Sequence, residues 1–200
     1  MGIIVESLIF IFVLFYVLKR ACSFSLRLNY KKSIFIFVVI VDSLYEGCIR
    51  NFDMATLLAF YTLQFVLILG ATIDMQYYLL PNEGAISICI ISLLHMCVCD
   101  VYIGVYIWQC ICVFLFFCIV IYFKGNGIGG GDIKWLLALS LWYDTFEFIG
   151  VLTLSFVCGA FFGAYMKWNR QESTIIPFGP CIVIGSLWGH YYEIVLAHFF

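Results

Sequence analysis

The chain has 200 residues, of which 65% are hydrophobic, 20% aromatic and only 11% charged, with a mean hydropathy of +1.10. A soluble domain keeps about 25% charged residues to cover its surface, so the outer surface of this all-α chain must face lipid. The net charge of -2 and the lack of a basic stripe exclude a nucleic-acid partner.

Apolar runs between polar punctuation predict eight helical segments, at residues 3–18, 33–49, 54–73, 84–99, 101–123, 133–143, 146–166 and 178–198. A crossing of a bilayer core about 30 Å thick needs roughly 20 apolar residues. The expectation is therefore a polytopic bundle of about six to eight crossings, with residues 1–200 forming a single membrane-embedded domain and no separate soluble module. The first segment lacks a basic lead-in and ends in Lys19-Arg20, the reverse of a cleaved signal peptide. The second carries Asp42, and the third ends at Asp74. The fourth is barely long enough to cross. The sixth rises only about 17 Å at roughly 1.5 Å per residue, so it cannot cross unless the loop before it, Gly127-Ile128-Gly129-Gly130-Gly131-Asp132, is sunk below the membrane surface. In the seventh, Gly159 and Gly163 form a GxxxG, expected to pack inside the bundle rather than at a dimer seam.

With eight alternating segments, one side holds Lys19, Arg20, Arg27, Lys31, Lys32, Lys124, Lys134, Lys167 and Arg170, and the other only Arg50. The positive-inside rule makes the basic side cytoplasmic. The ten cysteines include no CxxC pair, and nine lie in or beside apolar runs, where they read as small packing residues. His95, His190 and His198 share no ligand spacing, so neither a metal nor a cofactor is expected. Tyr143, Trp168 and Trp188 at helix ends fit an interfacial aromatic belt.

Acids at membrane depth are costly and are functional candidates by default. Glu46, Asp53, Asp100, Asp144 and Glu193 fall near the outer side, where solvated loops explain them, Glu172 belongs to a cytoplasmic loop and Glu6 is close to the N-terminus; the acids carried forward are Asp42, Asp74, Glu83 and Asp132. Singly, Asp74 reads as an interfacial acid against the negative end of a helix dipole, and Asp132 as the N-cap of the short helix after the glycine run. As a pair, both fall at cytoplasmic helix ends. Two carboxylates held close in a poorly hydrated site share a proton, so that one activates water while the other acts as acid. The dipole ends and Lys134 point to Asp132 as the base and Asp74 as the acid. The glycine loop is suited to present backbone N–H groups to a substrate.

Three stretches resemble the type IV prepilin peptidase family, membrane aspartic peptidases of the GxGD type. They are Asp74 followed by Leu80-Pro81-Asn82, then Gly129-Gly130-Gly131-Asp132-Ile133-Lys134-Trp135-Leu136-Leu137-Ala138, then Ile176-Pro177-Phe178-Gly179-Pro180. They are similar to the family's "D…LPD/LPN", GxGDxKLLA and IPFGP runs and come in the same order. The resemblance implies that Asp74 and Asp132 are catalytic, supported by Pro81, Asn82, Gly129, Gly131, Lys134, Pro177, Gly179 and Pro180. It implies no metal and no cofactor. It also implies a prepilin or pseudopilin-like substrate, cleaved after the glycine that ends a short basic leader, at the cytoplasmic face of the bacterial inner membrane. Full-length members carry a domain with paired CxxC motifs between their first two spans, associated with N-methylation. Here that connection is only Lys19 to Lys32, with Cys22 alone, so peptidase activity without methyltransferase activity is expected. The competing reading is a proton- or ion-coupled transporter using Asp42, Asp74 and Asp132.

Overall fold

The computed structural model describes residues 30–49, 52–99, 101–124, 128–168 and 176–199. The first predicted segment, most of the Lys19–Lys32 connection, and Asp100 lie outside the described residues. Every regular element among them is a helix: α1 (Tyr30–Ile49), α2 (Met54–Tyr77), α3 (Asn82–Val98), α4 (Ile103–Lys124), α5 (Gly130–Leu139), α6 (Thr145–Trp168) and α7 (Gly179–Phe199). These answer to the second to eighth predicted segments, with ends moved by a few residues. The larger shift is at α5, which starts three residues earlier and stops four earlier than its apolar run.

Three helices are long and apolar enough to cross a bilayer: α2, α6 and residues Ile103–Phe123 of α4. Asn82–Val98 and Gly179–Gly189 are shorter apolar helices. The protein is thus a helical membrane bundle. In the central apolar window of α2, 61% is buried inside the protein, against 17% for α4 and 22% for α6, so α2 is the axis and α4 the rim. α2 packs on α1, α3 and α7. α6 lies along α7, α3 receives α5, and α4 touches the bundle chiefly through α5. The exposed side chains of α4 are apolar (Ile107, Trp108, Ile111, Phe114, Leu115, Ile119), as a lipid-facing surface requires.

A ten-residue helix rises only about 15 Å, so α5 does not cross, and the turn after it needs its carbonyls paired within the protein. The last four carbonyls of α5 itself accept from the residues that follow them, and Gln109 on α4 serves the turn beyond. Its Nε2 donates to the carbonyls of Ser140 and Tyr143, both at 3.1 Å, and its Oε1 accepts from Thr145 at 2.9 Å. One buried amide thus closes the α5–α6 turn. Tyr143 in that turn is fully buried, and its hydroxyl donates to the Ser186 carbonyl at 2.7 Å. That corrects its expected place in an interfacial belt; Trp168 is 87% exposed.

Candidate active site

Asp74 lies one turn before the end of α2 and is 4% exposed. The helix runs three residues beyond it and closes on Tyr78, which is left-handed at φ 52° and whose N–H bonds the Asp74 carbonyl at 2.9 Å. The chain then turns through Leu79 and Leu80 to Pro81, the N-cap of α3. Opposite this corner, the Gly179 N–H, first in α7, donates to Asp74 Oδ2 at 2.7 Å. A Cβ at Gly179 would stand 3.0 Å from both Cβ and Oδ2 of Asp74 and 3.2 Å from Ala71 Cα. Only glycine lets this backbone come so close.

Gly179 is brought there by its neighbours. Phe178 rests against the open face of Gly159 on α6, and Ile176 against that of Gly163. The GxxxG of α6 therefore works inside the bundle as the seat of the Ile176–Pro180 stretch. Pro177 is buried, and Pro180 occupies the first turn of α7, where its missing N–H has no intrahelical partner to lose.

Asp132 is not the N-cap expected of it. The cap is Gly129, and Asp132 stands three positions later, in the first turn of α5. Its carboxylate reaches back to the Gly129 backbone N–H, the acid half of a capping box. Burial first, and then the charge of nearby Asp74, push the Asp132 carboxyl up to about 7. Lys134 is not among the groups that shift it, and its Nζ donates instead to Asn82 Oδ1 at 2.9 Å. The expected help of Lys134 to an ionised Asp132 is replaced by a tie between α5 and the Pro81 corner. Gly131 packs against Leu80, where a Cβ would stand 3.2 Å from Leu80 Cβ.

Trp135, one turn after Asp132, was read only as part of a motif. It is 1% exposed and donates its indole N–H to the Pro81 carbonyl at 3.0 Å. A side chain at Gly70 on α2 or Gly84 on α3 would overlap its ring. Gly70 and Gly84, flanking the Asp74–Pro81 corner one turn to either side, were the available signal for such a notch. All three motif stretches thus meet at one end of the bundle, together with Lys32, whose Nζ donates to Gln76 Oε1 at 3.3 Å.

The other acids are elsewhere. Asp42 Oδ2 accepts the Trp188 indole N–H at 2.7 Å and ties α1 to α7; Trp188 is nine residues along α7 from Gly179, about 13 Å away. Glu46, expected in a solvated setting, is 2% exposed and is hydrogen-bonded to the Tyr191 hydroxyl. Asp53 and Asp144 are exposed as expected, and Glu83 lies in the first turn of α3, where the dipole favours it. His95 shares a 3.1 Å hydrogen bond with Thr56 and stacks on Trp142. The nine described cysteines are free thiols.

A prepilin leader peptidase/N-methyltransferase of Aeromonas salmonicida (strain A449) is 31% identical to the chain over 144 residues, which are 66% of this chain and 50% of that protein. One of Aeromonas hydrophila is 40% identical over 70 residues, 32% of this chain and 24% of its own length. The chain spans about half the length, or less, of these curated relatives. No solved structure matches it at a significant level. The model of the type IV leader peptidase family matches residues 61–164, an interval that holds both Asp74 and Asp132. By that match, over half of its length, the chain belongs to the type IV leader peptidase family.

Proposed function

We propose that the chain is an aspartic endopeptidase that removes the short basic leader from a type IV prepilin or pseudopilin-like protein. The observation that carries this reading is the convergence of Asp74 and Asp132 from separate helices. One is oriented by the Gly179 N–H, and the other is buried within its electrostatic reach. In this reading the proton shared by the pair rests on Asp132, whose carboxyl is pushed up to about 7 by burial and by Asp74. Asp74, with one oxygen on Gly179, takes a proton from water as that water attacks the scissile carbonyl. Asp132 gives its proton to the carbonyl oxygen. As the gem-diol collapses, one hydroxyl returns its proton to Asp132 and the carbonyl re-forms, the C–N bond breaks, and the proton taken by Asp74 passes to the leaving amine. This exchanges the roles expected from dipoles and Lys134. The support is the engagement of Lys134 with Asn82 and the burial of Asp132.

The charge tally of the connections supports a site on the cytoplasmic face of the inner membrane of a bacterium, with residues 1–200 as one peptidase domain in lipid. The short Lys19–Lys32 connection supports a peptidase without N-methyltransferase activity, and mass spectrometry of the processed substrate should find a mature N-terminus free of methyl. The transporter reading loses support, because Asp42 is tied to Trp188 rather than gathered with the other two aspartates.

The test is leader cleavage of a co-expressed prepilin by wild type, Asp74→Asn and Asp132→Asn at matched membrane levels. Wild type should cleave and each variant should lose cleavage. Normal cleavage by either variant would exclude an aspartic dyad.

A further inference from the structure

Asp132 sits on a ten-residue helix that does not cross the membrane. Its tie from Lys134 to Asn82 lies at an exposed side chain, where water competes for the bond. Of the side chains that α5 buries, Trp135 is the one hydrogen-bonded to the Pro81 corner, and its register is informative. On α5, Asp132 and Trp135 are three residues apart, one turn along nearly the same face. On α2, Gly70 and Asp74 are four apart, again one turn along one face. The Trp135 ring against Gly70 therefore lies one turn away from the aspartate pair on both helices at once. Gly84 closes the other side of the notch, and the Pro81 carbonyl orients the indole.

We propose that Trp135 is the positioning residue of the site: its indole, seated between Gly70 and Gly84 and donating to Pro81, sets the depth and rotation of α5 and so brings the Asp132 carboxylate level with Asp74. This rests on the peptidase reading above. A tryptophan here needs glycine at both partner positions, so the three residues form one unit. A loosened seat moves Asp132 relative to Asp74 while leaving the rest of the substrate path in place. The loss therefore falls on kcat rather than on KM.

The experiment measures kcat and KM for a purified type IV prepilin carrying its leader, per folded enzyme in detergent. The variants are Trp135→Phe, Trp135→Leu, Gly84→Ala and the double Gly84→Ala/Trp135→Leu, with Asp74→Asn alongside. Misplacement by about 1 Å costs on the order of 100-fold in rate. Trp135→Leu and Gly84→Ala should each lose on that order in kcat, with KM within about twofold. Trp135→Phe, which keeps a ring but deletes the N–H, should lose less. Because both single changes break one seat, the double variant should be no slower than the worse single. Wild-type kcat in Trp135→Leu, a loss confined to KM, or multiplied losses in the double variant would each overturn the inference. An inactive wild type or an active Asp74→Asn would instead overturn the peptidase reading, so the two failures are told apart. Trp135→Phe and Gly84→Ala keep the test open if Trp135→Leu does not fold.

Discussion

Gly179 shows how narrow the tolerances around Asp74 are. Adding one methyl group there places it 3.0 Å from the carboxylate oxygen and 3.2 Å from the Ala71 backbone, contacts that force either α7 or the Asp74 side chain to move. Gly179→Ala should therefore lower leader cleavage on the order of 100-fold while the protein still accumulates in the membrane, as read by cleavage at matched immunoblot levels. Asp132 makes a prediction in pH. Its carboxyl, pushed up to about 7 by burial and by Asp74, is protonated below that value and charged above it. With both carboxylates charged, the site has no acid for the carbonyl oxygen, so cleavage should decline as pH rises through about 7. A pH–rate profile of purified enzyme checks this, and a rate that climbs through that range would reverse the acid and base roles. Both aspartates stand out in the sequence because charge is costly at membrane depth. The hydrogen-bond partners of Lys134 and Asp74 do not, because they lie 52 and 105 residues away.

At the scale of elements, the turn from α5 to α6 poses the clearest problem and Gln109 the clearest answer. Replacing Gln109 by Leu leaves the Ser140 and Tyr143 carbonyls and the Thr145 hydroxyl without that partner. The cost should be about 2–3 kcal/mol, visible as a lowered midpoint of thermal unfolding in detergent. The link of α1 to α7 is polar as well. Trp188→Phe should weaken it by about 1 kcal/mol by deleting the bond to Asp42, with cleavage activity unchanged because the pair is remote from the aspartates. The lengths of the apolar runs and the polar punctuation between them predicted seven described helices to within a few residues. The start of α5 was misplaced for a physical reason. Glycines at 130 and 131 look like loop in sequence, yet Asp132 at the third helical position returns to the Gly129 N–H and stabilises a first turn that contains them.

Across the whole molecule, the buried polar groups sort by whether a second helix answers them. Gln109, Tyr143 and Asp74 are answered. Gln64, in the middle of α2 and 2% exposed, has no hydrogen-bond partner for either amide atom among the described residues. An unpaired buried amide costs about 1–3 kcal/mol, so Gln64→Leu should raise the unfolding midpoint, again measured in detergent; a drop would mean that the amide is satisfied in the membrane. Composition alone determined that this chain is a helical membrane protein, because 11% charged residues cannot cover a soluble surface. Apolar run length determined where most helices lie, and the order of three short motifs pointed to the family. What only the tertiary structure decided is how those motifs meet: Phe178 and Ile176 on the GxxxG of α6, Gly179 on Asp74, and Trp135 between Gly70 and Gly84. A glycine in sequence records the absence of a side chain but not the ring that fills the space, and that information exists only once distant helices are packed together.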